Sequence, residues 1–242
     1  MGEALKRTVR LYLVRHGETA DNVHMRYLGI RDEPLTDNGR EQARLAAAAL
    51  SQIPVRCVVS SPLRRAADTA GVIREACGAE LRLDPRLAEG SFGRWEGRTR
   101  AEVAGLGPGD AALLERWESD AACAPPGGES IESIQNRVLD LAEEMASAFP
   151  AASVVLVSHV GPIKALLAAA VGIPLQSTRR LFLDPGTISV VEWGPQPLLR
   201  LFNSHAHLGW TSARWNRGTD SGFPSHSPRY PESAIRNLES GI

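Results

Sequence analysis

Three groups of polar residues in this sequence could act together on a phosphoryl group. Each group follows directly after a short apolar run, and the members are Arg15, His16 and Asn22; Ser60, Ser61, Arg64 and Arg65; and Ser158 and His159. Guanidinium groups and the N–H groups at helix N-termini match the charge and fork geometry of a phosphoryl group. An imidazole can carry protons near neutral pH or act as a nucleophile. We therefore expect these residues to bind a phosphoryl group and react with it.

The apolar runs that precede these groups indicate three buried strands, over residues 9–14, 55–60 and 153–157. Helical segments follow them, over residues 40–50, 61–77 and from about 160 to 171, with Pro62 placed in the first turn of the second helix and Gly78 at its end. Alternation of strands and helices predicts a three-layer α/β/α sandwich around a mostly parallel sheet. In such a sheet, ligands bind beyond the carboxyl ends of the strands.

The remaining segments are predicted to complete one domain over residues 1–210. Residues 89–128 are rich in Gly and Pro and are interpreted as a lid insertion with short helices over 99–104 and 110–117. An amphipathic helix is predicted over 130–148, and a final strand pair over 187–192 and 198–202. Residues 211–242 are poor in large aliphatic side chains and are predicted to form an irregular C-terminal tail.

Composition excludes several classes of protein. The 242 residues carry 27 Lys and Arg against 28 Asp and Glu, a formal charge of −1, which offers no general attraction to nucleic acid or an anionic membrane. Three cysteines without metal-like spacing argue against a zinc site and a disulfide framework. The longest apolar run, 165–171, is too short to span a bilayer. We expect a cytoplasmic protein whose partner is a small phosphorylated metabolite, with no metal or cofactor; a homodimer is left open.

Five motifs in order make the sequence resemble the histidine phosphatase superfamily over about residues 9–205. These motifs are Leu-Val-Arg-His-Gly-Glu-Thr at 13–19, Ser-Ser-Pro-Leu-Arg-Arg at 60–65, Leu-Ala-Glu-Gly at 87–90 with Phe-Gly-Arg-Trp-Glu-Gly at 92–97, Pro-Gly-Gly-Glu-Ser at 126–130, and Ser-His at 158–159. The third and fourth are similar to those of the broad-specificity and α-ribazole phosphatase branch. The resemblance implies a metal-independent phosphomonoesterase.

The resemblance also implies a role for each residue. His16 would be the nucleophile, and Arg15, Arg65 and His159 would surround the phosphoryl oxygens. Glu89 would protonate the leaving oxygen and later activate water, so it should be neutral in the substrate-loaded enzyme, which predicts an acidic to neutral pH optimum. The substrate-binding residues would be Asn22, Leu28, Gly29, Arg100 and Val160.

The sequence leaves several residue roles and functions open. Glu96 lies in the same segment as Glu89 and could be the acid instead, and Arg100 could contact only solvent. Ser61, Thr69 and Ser130 are interpreted as helix-start and turn residues, while His205 could line the rim of the site. A cofactor-dependent phosphoglycerate mutase is an alternative because Arg100 falls where mutases bind substrate. A non-catalytic phosphate-binding module and a metal hydrolase using His16, His159 and Glu89 are weaker alternatives.

Overall fold

The computed structural model describes residues 8–209. The predicted tail, 211–242, and residues 1–7 and 210 of the predicted domain lie outside this range. Within it, no helix combines the length and the apolar character that a membrane span requires.

A six-stranded sheet forms the centre of the described region. Its strands are Val9–Arg15 (β1), Val55–Ser60 (β2), Glu80–Leu83 (β3), Ser153–Ser158 (β4), Ile188–Trp193 (β5) and Leu198–Ser204 (β6). They lie in the order β3-β2-β4-β1-β5-β6. Strands β3, β2, β4 and β1 are parallel to one another. Strand β5 is antiparallel to β1, and β6 is antiparallel to β5. The predicted α/β class with a mostly parallel sheet is therefore confirmed.

Helices cover both faces of this sheet. The α-helices are Ala20–Val23 (α1), Asp37–Leu50 (α2), Arg64–Cys77 (α3), Arg100–Ala104 (α4), Pro108–Ser119 (α5), Ile131–Ala148 (α6) and Val160–Val171 (α7). Short 3-10 helices lie at Pro85–Leu87, Gly93–Trp95 and Leu175–Arg180. Helices α2 and α3 share one apolar cluster with the sheet, and α6 and α7 share another.

The alternation of side chains along β1 and β4 creates these two clusters. Leu13 and Leu156 face the helices α6 and α7, whereas Val14 and Val157, one residue further on, face α2 and α3. Successive side chains of a strand point to opposite faces, so a strand covered on both faces needs apolar residues in succession, as at 11–14 and 154–157. This is why 9–14 and 153–157 could be identified as buried strands.

The insertion at 89–128 has a small apolar cluster of its own. Trp95 is fully buried, and its ring meets the ring of Trp117 edge-on with 5.8 Å between centroids. The indole N–H of Trp95 donates to Asp110 over 3.0 Å, which satisfies the polar atom of a buried aromatic side chain. The predicted short helices are present as α4 and α5, while action as a lid stays a prediction.

Two details of the sequence prediction were wrong. Pro62 lies before α3 and not in its first turn, because Leu63 is extended and the helix begins at Arg64, whose N–H donates to Asp32 over 2.8 Å. The edge strand β3 was missed, since its alternating pattern is only four residues long and closely follows the helix-ending turn at Gly78.

Truncating a central strand side chain should destabilise the fold. Leu156 in β4 is 1% exposed, so Leu156→Ala is expected to lower the free energy of unfolding by about 2–5 kcal/mol, through lost apolar burial and a residual cavity. Leu198 in the edge strand β6 is 45% exposed, and Leu198→Ala is the matched control, expected to change it by less than about 0.5 kcal/mol. Urea unfolding measures both, and equal losses would contradict the described core.

Candidate active site

The sheet brings the three polar groups together at one edge. Strands β2, β4 and β1 are parallel neighbours, and Arg15 lies opposite Ser158 in the register. The backbone continues this pairing past the strand ends, because His16 N–H donates to the carbonyl of Ser158 and Ser61 N–H donates to that of Val157, each over 3.0 Å. Residues distant in sequence thus meet at the carboxyl ends of three strands.

His16 is buried and held in one orientation. Its Nδ1 lies 2.7 Å from the carbonyl oxygen of Gly17, which can only accept, so Nδ1 carries the proton and Nε2 presents a lone pair. The same loop is tied to α3, because Gly17 N–H donates to the hydroxyl of Thr69 over 3.1 Å. A neutral imidazole with a lone pair on Nε2 has the form that a nucleophile requires.

Arg65 connects His16 to the loop at residues 28–31. Its Nε donates to His16 Nε2 over 3.3 Å, and its two Nη atoms donate to the carbonyls of Gly29 and Arg31, each over 2.7 Å. The side chain is 1% exposed and forms no ion pair with another described residue. A buried guanidinium satisfied only by neutral acceptors favours binding of an anion.

His159 lies beside His16, with 5.0 Å between ring centroids and 55° between ring planes. Its Nε2 is 2.8 Å from the hydroxyl of Ser61. Its Nδ1 is buried and has no hydrogen-bond partner among the described residues. Such an atom in a polar site is suited to bind a ligand oxygen.

Electrostatics keep both imidazoles neutral. Burial, then the charges of Arg65 and Arg15, hold the pKa of His16 well below its ordinary value of 6.5. Burial and Arg65 likewise lower the pKa of His159. Arg15 is itself buried, and its guanidinium donates to the carbonyl of Leu183 over 2.6 Å.

The structure separates the two candidate acids. The carboxylate of Glu89 accepts from the N–H of Gly90 over 3.0 Å and from that of Gly161, at the start of α7, over 3.2 Å. Glu96 instead accepts from Ile30 N–H and Phe92 N–H through one oxygen, and so joins two loops. Glu89 is therefore the better candidate for the acid, and Glu96 is a structural link.

The predicted substrate-binding residues have varied surroundings, and their roles stay predictions. Asn22 forms a capping box with Thr19 at the start of α1. Leu28 is buried, Gly29 adopts a positive φ of 57°, and Val160 is the first residue of α7. Arg100 lies in an exposed, bidentate ion pair with Glu118, over 2.6 and 2.8 Å.

Some polar side chains have roles that the sequence reading missed. Thr69 is in the middle of α3, not at a helix start, and Ser61 contacts His159 in addition to accepting from Leu63 N–H in the turn. His205 pairs with buried Asp184 over 2.9 Å. Only Ser130, which accepts from Ser133 N–H, is simply the predicted helix cap.

A pocket beside Glu89 was also missed, and it includes Lys164 and Arg179. One signal could have indicated it: Lys164 is the single charged residue of the otherwise apolar α7. Among residues 8–209, no three or more His, Cys, Asp or Glu side chains are grouped to hold a metal ion.

Both site histidines should resist protonation. At pH 6, where a histidine of pKa about 6.5 is mostly charged, His16 and His159 are expected to remain neutral, with the proton of His16 on Nδ1. Nitrogen-15 chemical shifts of the imidazoles measure this. Because protonation then favours the unfolded chain, these groups should reduce the free energy of unfolding as pH falls through 6.5. A His16 titration midpoint near 6.5 would contradict the described burial.

Comparison with known proteins finds similarity to several phosphatases. The chain is 41% identical to glucosyl-3-phosphoglycerate phosphatase of Mycolicibacterium vanbaalenii over 178 residues, 71% of this chain and 78% of that protein. It is 36% identical to phosphoserine phosphatase 1 of Hydrogenobacter thermophilus over 204 residues, 83% and 95% of the two chains. The solved structure of a mycobacterial glucosyl-3-phosphoglycerate phosphatase with VO3 superposes with a TM-score of 0.73 at 34% identity, over 81% and 99% of the chains.

Other mycobacterial relatives are much longer. One, named a bifunctional protein of Mycobacterium tuberculosis, is 38% identical over 185 residues, and the match covers 76% of this chain but only 50% of that protein. The chain thus matches about half the length of these curated relatives. The model of the histidine phosphatase superfamily, branch 1, matches residues 11–204, and this chain belongs to that family.

Proposed function

We propose that this protein is a metal-independent phosphomonoesterase that forms a phosphohistidine at His16 and acts on a small phosphorylated metabolite. The observation that carries the proposal is the buried Nε2 of His16, which bears a lone pair and lies 3.3 Å from the Nε of Arg65. An imidazole lone pair beside a guanidinium supports attack on a phosphoryl group that the cation would bind. The phosphatase names of two relatives support hydrolysis.

In the first step, His16 Nε2 attacks phosphorus and the bond from phosphorus to the leaving oxygen breaks. Arg15, Arg65 and His159 would offset the charge on the equatorial oxygens, a contribution that is typically worth about 10²–10³ in rate for a single donor. Protonated Glu89 would give its proton to the leaving oxygen, so that the alcohol departs neutral.

In the second step, water replaces the alcohol. Glu89, now a carboxylate, would take a proton from the water as its oxygen attacks phosphorus. The phosphorus–nitrogen bond breaks, the electron pair returns to His16 Nε2, and inorganic phosphate leaves. The N–H donors of Gly90 and Gly161 hold the Glu89 carboxylate in place for both proton transfers.

Hydrolysis is favoured over the mutase alternative by the pairing of the cations in the insertion. Arg100 is bound to Glu118, and Arg116 lies 3.5 Å from Asp120 with 70% of its side chain exposed. Neither is among the residues that line the pocket beside Glu89.

Cys57, Cys77 and Cys123 are free thiols, which supports our proposal of a cytoplasmic location.

Removal of the nucleophile and of the acid should have separable effects. His16→Ala is expected to abolish turnover of p-nitrophenyl phosphate, and EDTA should leave wild-type activity unchanged. Glu89→Gln is expected to lower kcat/KM for an alkyl phosphate by about 10²–10⁴. The loss should be smaller for p-nitrophenyl phosphate, whose leaving group departs without a proton.

The control for the acid is Glu96→Gln. Its amide oxygen can still accept from Ile30 and Phe92, so kcat/KM should stay within about threefold of wild type. Steady-state kinetics on variants with unchanged melting temperature make the comparison. A large loss in Glu96→Gln with none in Glu89→Gln, or an active His16→Ala variant, would overturn the proposal.

A further inference from the structure

The pocket beside Glu89 has a mixed lining. Its volume is about 100 Å³, whereas a single water needs about 10–15 Å³ by a comparable measure, so it can hold a small organic group. Phe92, Trp117 and Ile134 contribute apolar surface, and Lys164 and Arg179 contribute charge. Because Gly161 and Glu89 are also part of the lining, the pocket adjoins the carboxylate that is proposed to protonate the leaving oxygen. The leaving alcohol would therefore lie here.

Lys164 faces this pocket from α7. It lies three residues after Gly161, and side chains three apart are neighbours on a helix face. The side chain is half-buried, and its ammonium has no hydrogen bond or ion pair with another described residue. Burial, with the nearby charges of Arg15 and Arg179, lowers the pKa of Lys164 to about 8. A bound anion at this point would relieve the repulsion.

Arg179 lies at the rim of the pocket, on the 3-10 helix that follows α7. Its guanidinium carbon stands 3.5 Å from the centre of the Trp117 ring, and one Nη donates to the Trp117 carbonyl over 3.2 Å. A guanidinium stacked on an aromatic face is fixed in orientation while its remaining N–H groups stay available. No carboxylate among the described residues forms an ion pair with it.

The acidic groups around these two cations are held by other partners. Glu129 is bound by Arg137 through two contacts of 2.9 Å, and Glu118 is bound by Arg100. Glu89 accepts from backbone N–H groups. Within this part of the chain neither cation is in an ion pair, and the carboxylates of Glu89 and Glu118 offset their charges only from a distance.

We propose that Lys164 and Arg179 form a subsite for an anionic group on the leaving alcohol, either a carboxylate or a second phosphoryl group. The inference rests on the proposed function, since it is Glu89 as the acid that places the alcohol in this pocket. It makes the preferred substrate a phosphomonoester of a short hydroxy acid or of a phosphorylated alcohol, with its carbon chain against Phe92 and Trp117.

The test uses three phosphate esters that differ in one group. Racemic glycerol 1-phosphate is neutral beyond its phosphate, racemic 3-phosphoglycerate carries a carboxylate there, and glycerol 1,3-bisphosphate carries a second phosphoryl group. Wild type is expected to favour one of the two anionic esters over glycerol 1-phosphate by at least about tenfold in kcat/KM, the gain typical of one charge-assisted hydrogen bond. The favoured ester identifies the anion.

Lys164→Met and Arg179→Met should each reduce that preference about tenfold or more, because methionine keeps length but lacks charge. Arg180→Met is the matched control: Arg180 is exposed, adjacent in sequence and outside the pocket lining, so the preference should persist. Calorimetry measures binding of the same esters to His16→Ala and to the double variant that also carries Lys164→Met. The ratio of affinities for the anionic and neutral esters reports the same preference without turnover.

The outcomes are distinguishable. Loss of preference in both variants supports the subsite. Wild type that hydrolyses all three esters equally, or variants that lose activity equally on all three, would overturn it and leave the proposed function standing; the second result would assign Lys164 to the phosphoryl group itself. If wild type hydrolyses p-nitrophenyl phosphate but none of the three esters, the subsite is overturned and the proposed function stands. If it hydrolyses neither, the proposed function fails, and the calorimetric ratio alone decides the subsite.

Discussion

Two guanidinium groups and two imidazoles share one buried space at the edge of the sheet, and no acidic side chain among the described residues forms an ion pair with Arg65. Such a grouping is stable only if the imidazoles are neutral, which is the direction in which burial and both arginines move the pKa of His16. The same repulsion favours entry of a dianion. The proposed nucleophile and the proposed phosphate site would thus have a common electrostatic origin.

The loop that carries His16 is held by close contact between two backbones. A Cβ on Gly17 would lie 2.2 Å from the carbonyl oxygen of Gly39, and a Cβ on Gly39 would lie 2.2 Å from that of Glu18. Only glycine permits this approach. The N-terminus of α2 is therefore packed on the loop that carries His16, while Thr69 fixes the loop from α3. Helices on one face of the sheet set the position of His16 from two directions.

Much of this arrangement follows from local sequence. Continuous apolar runs identified β1, β2 and β4, and residues after them were expected to meet because parallel strands end at one edge. The family resemblance favoured Glu89 over Glu96, but residue type and spacing alone could not separate them, since both are glutamates in one loop and only their distant N–H donors differ. Lys164 and Arg179 were missed for a related reason. Their proposed role depends on the neighbouring carboxylates being bound by other arginines, and the sequence does not show those contacts.

The proposed reaction requires the phosphoryl group to pass through His16 Nε2. Its most direct test is a single turnover with 32P-labelled substrate, quenched in alkali within milliseconds, because phosphohistidine survives alkali and is lost in acid, followed by peptide mapping. We expect the 32P label on His16 alone, and we expect it to appear before labelled inorganic phosphate. Label on a different residue, or phosphate released at the full rate with no labelled protein, would contradict it.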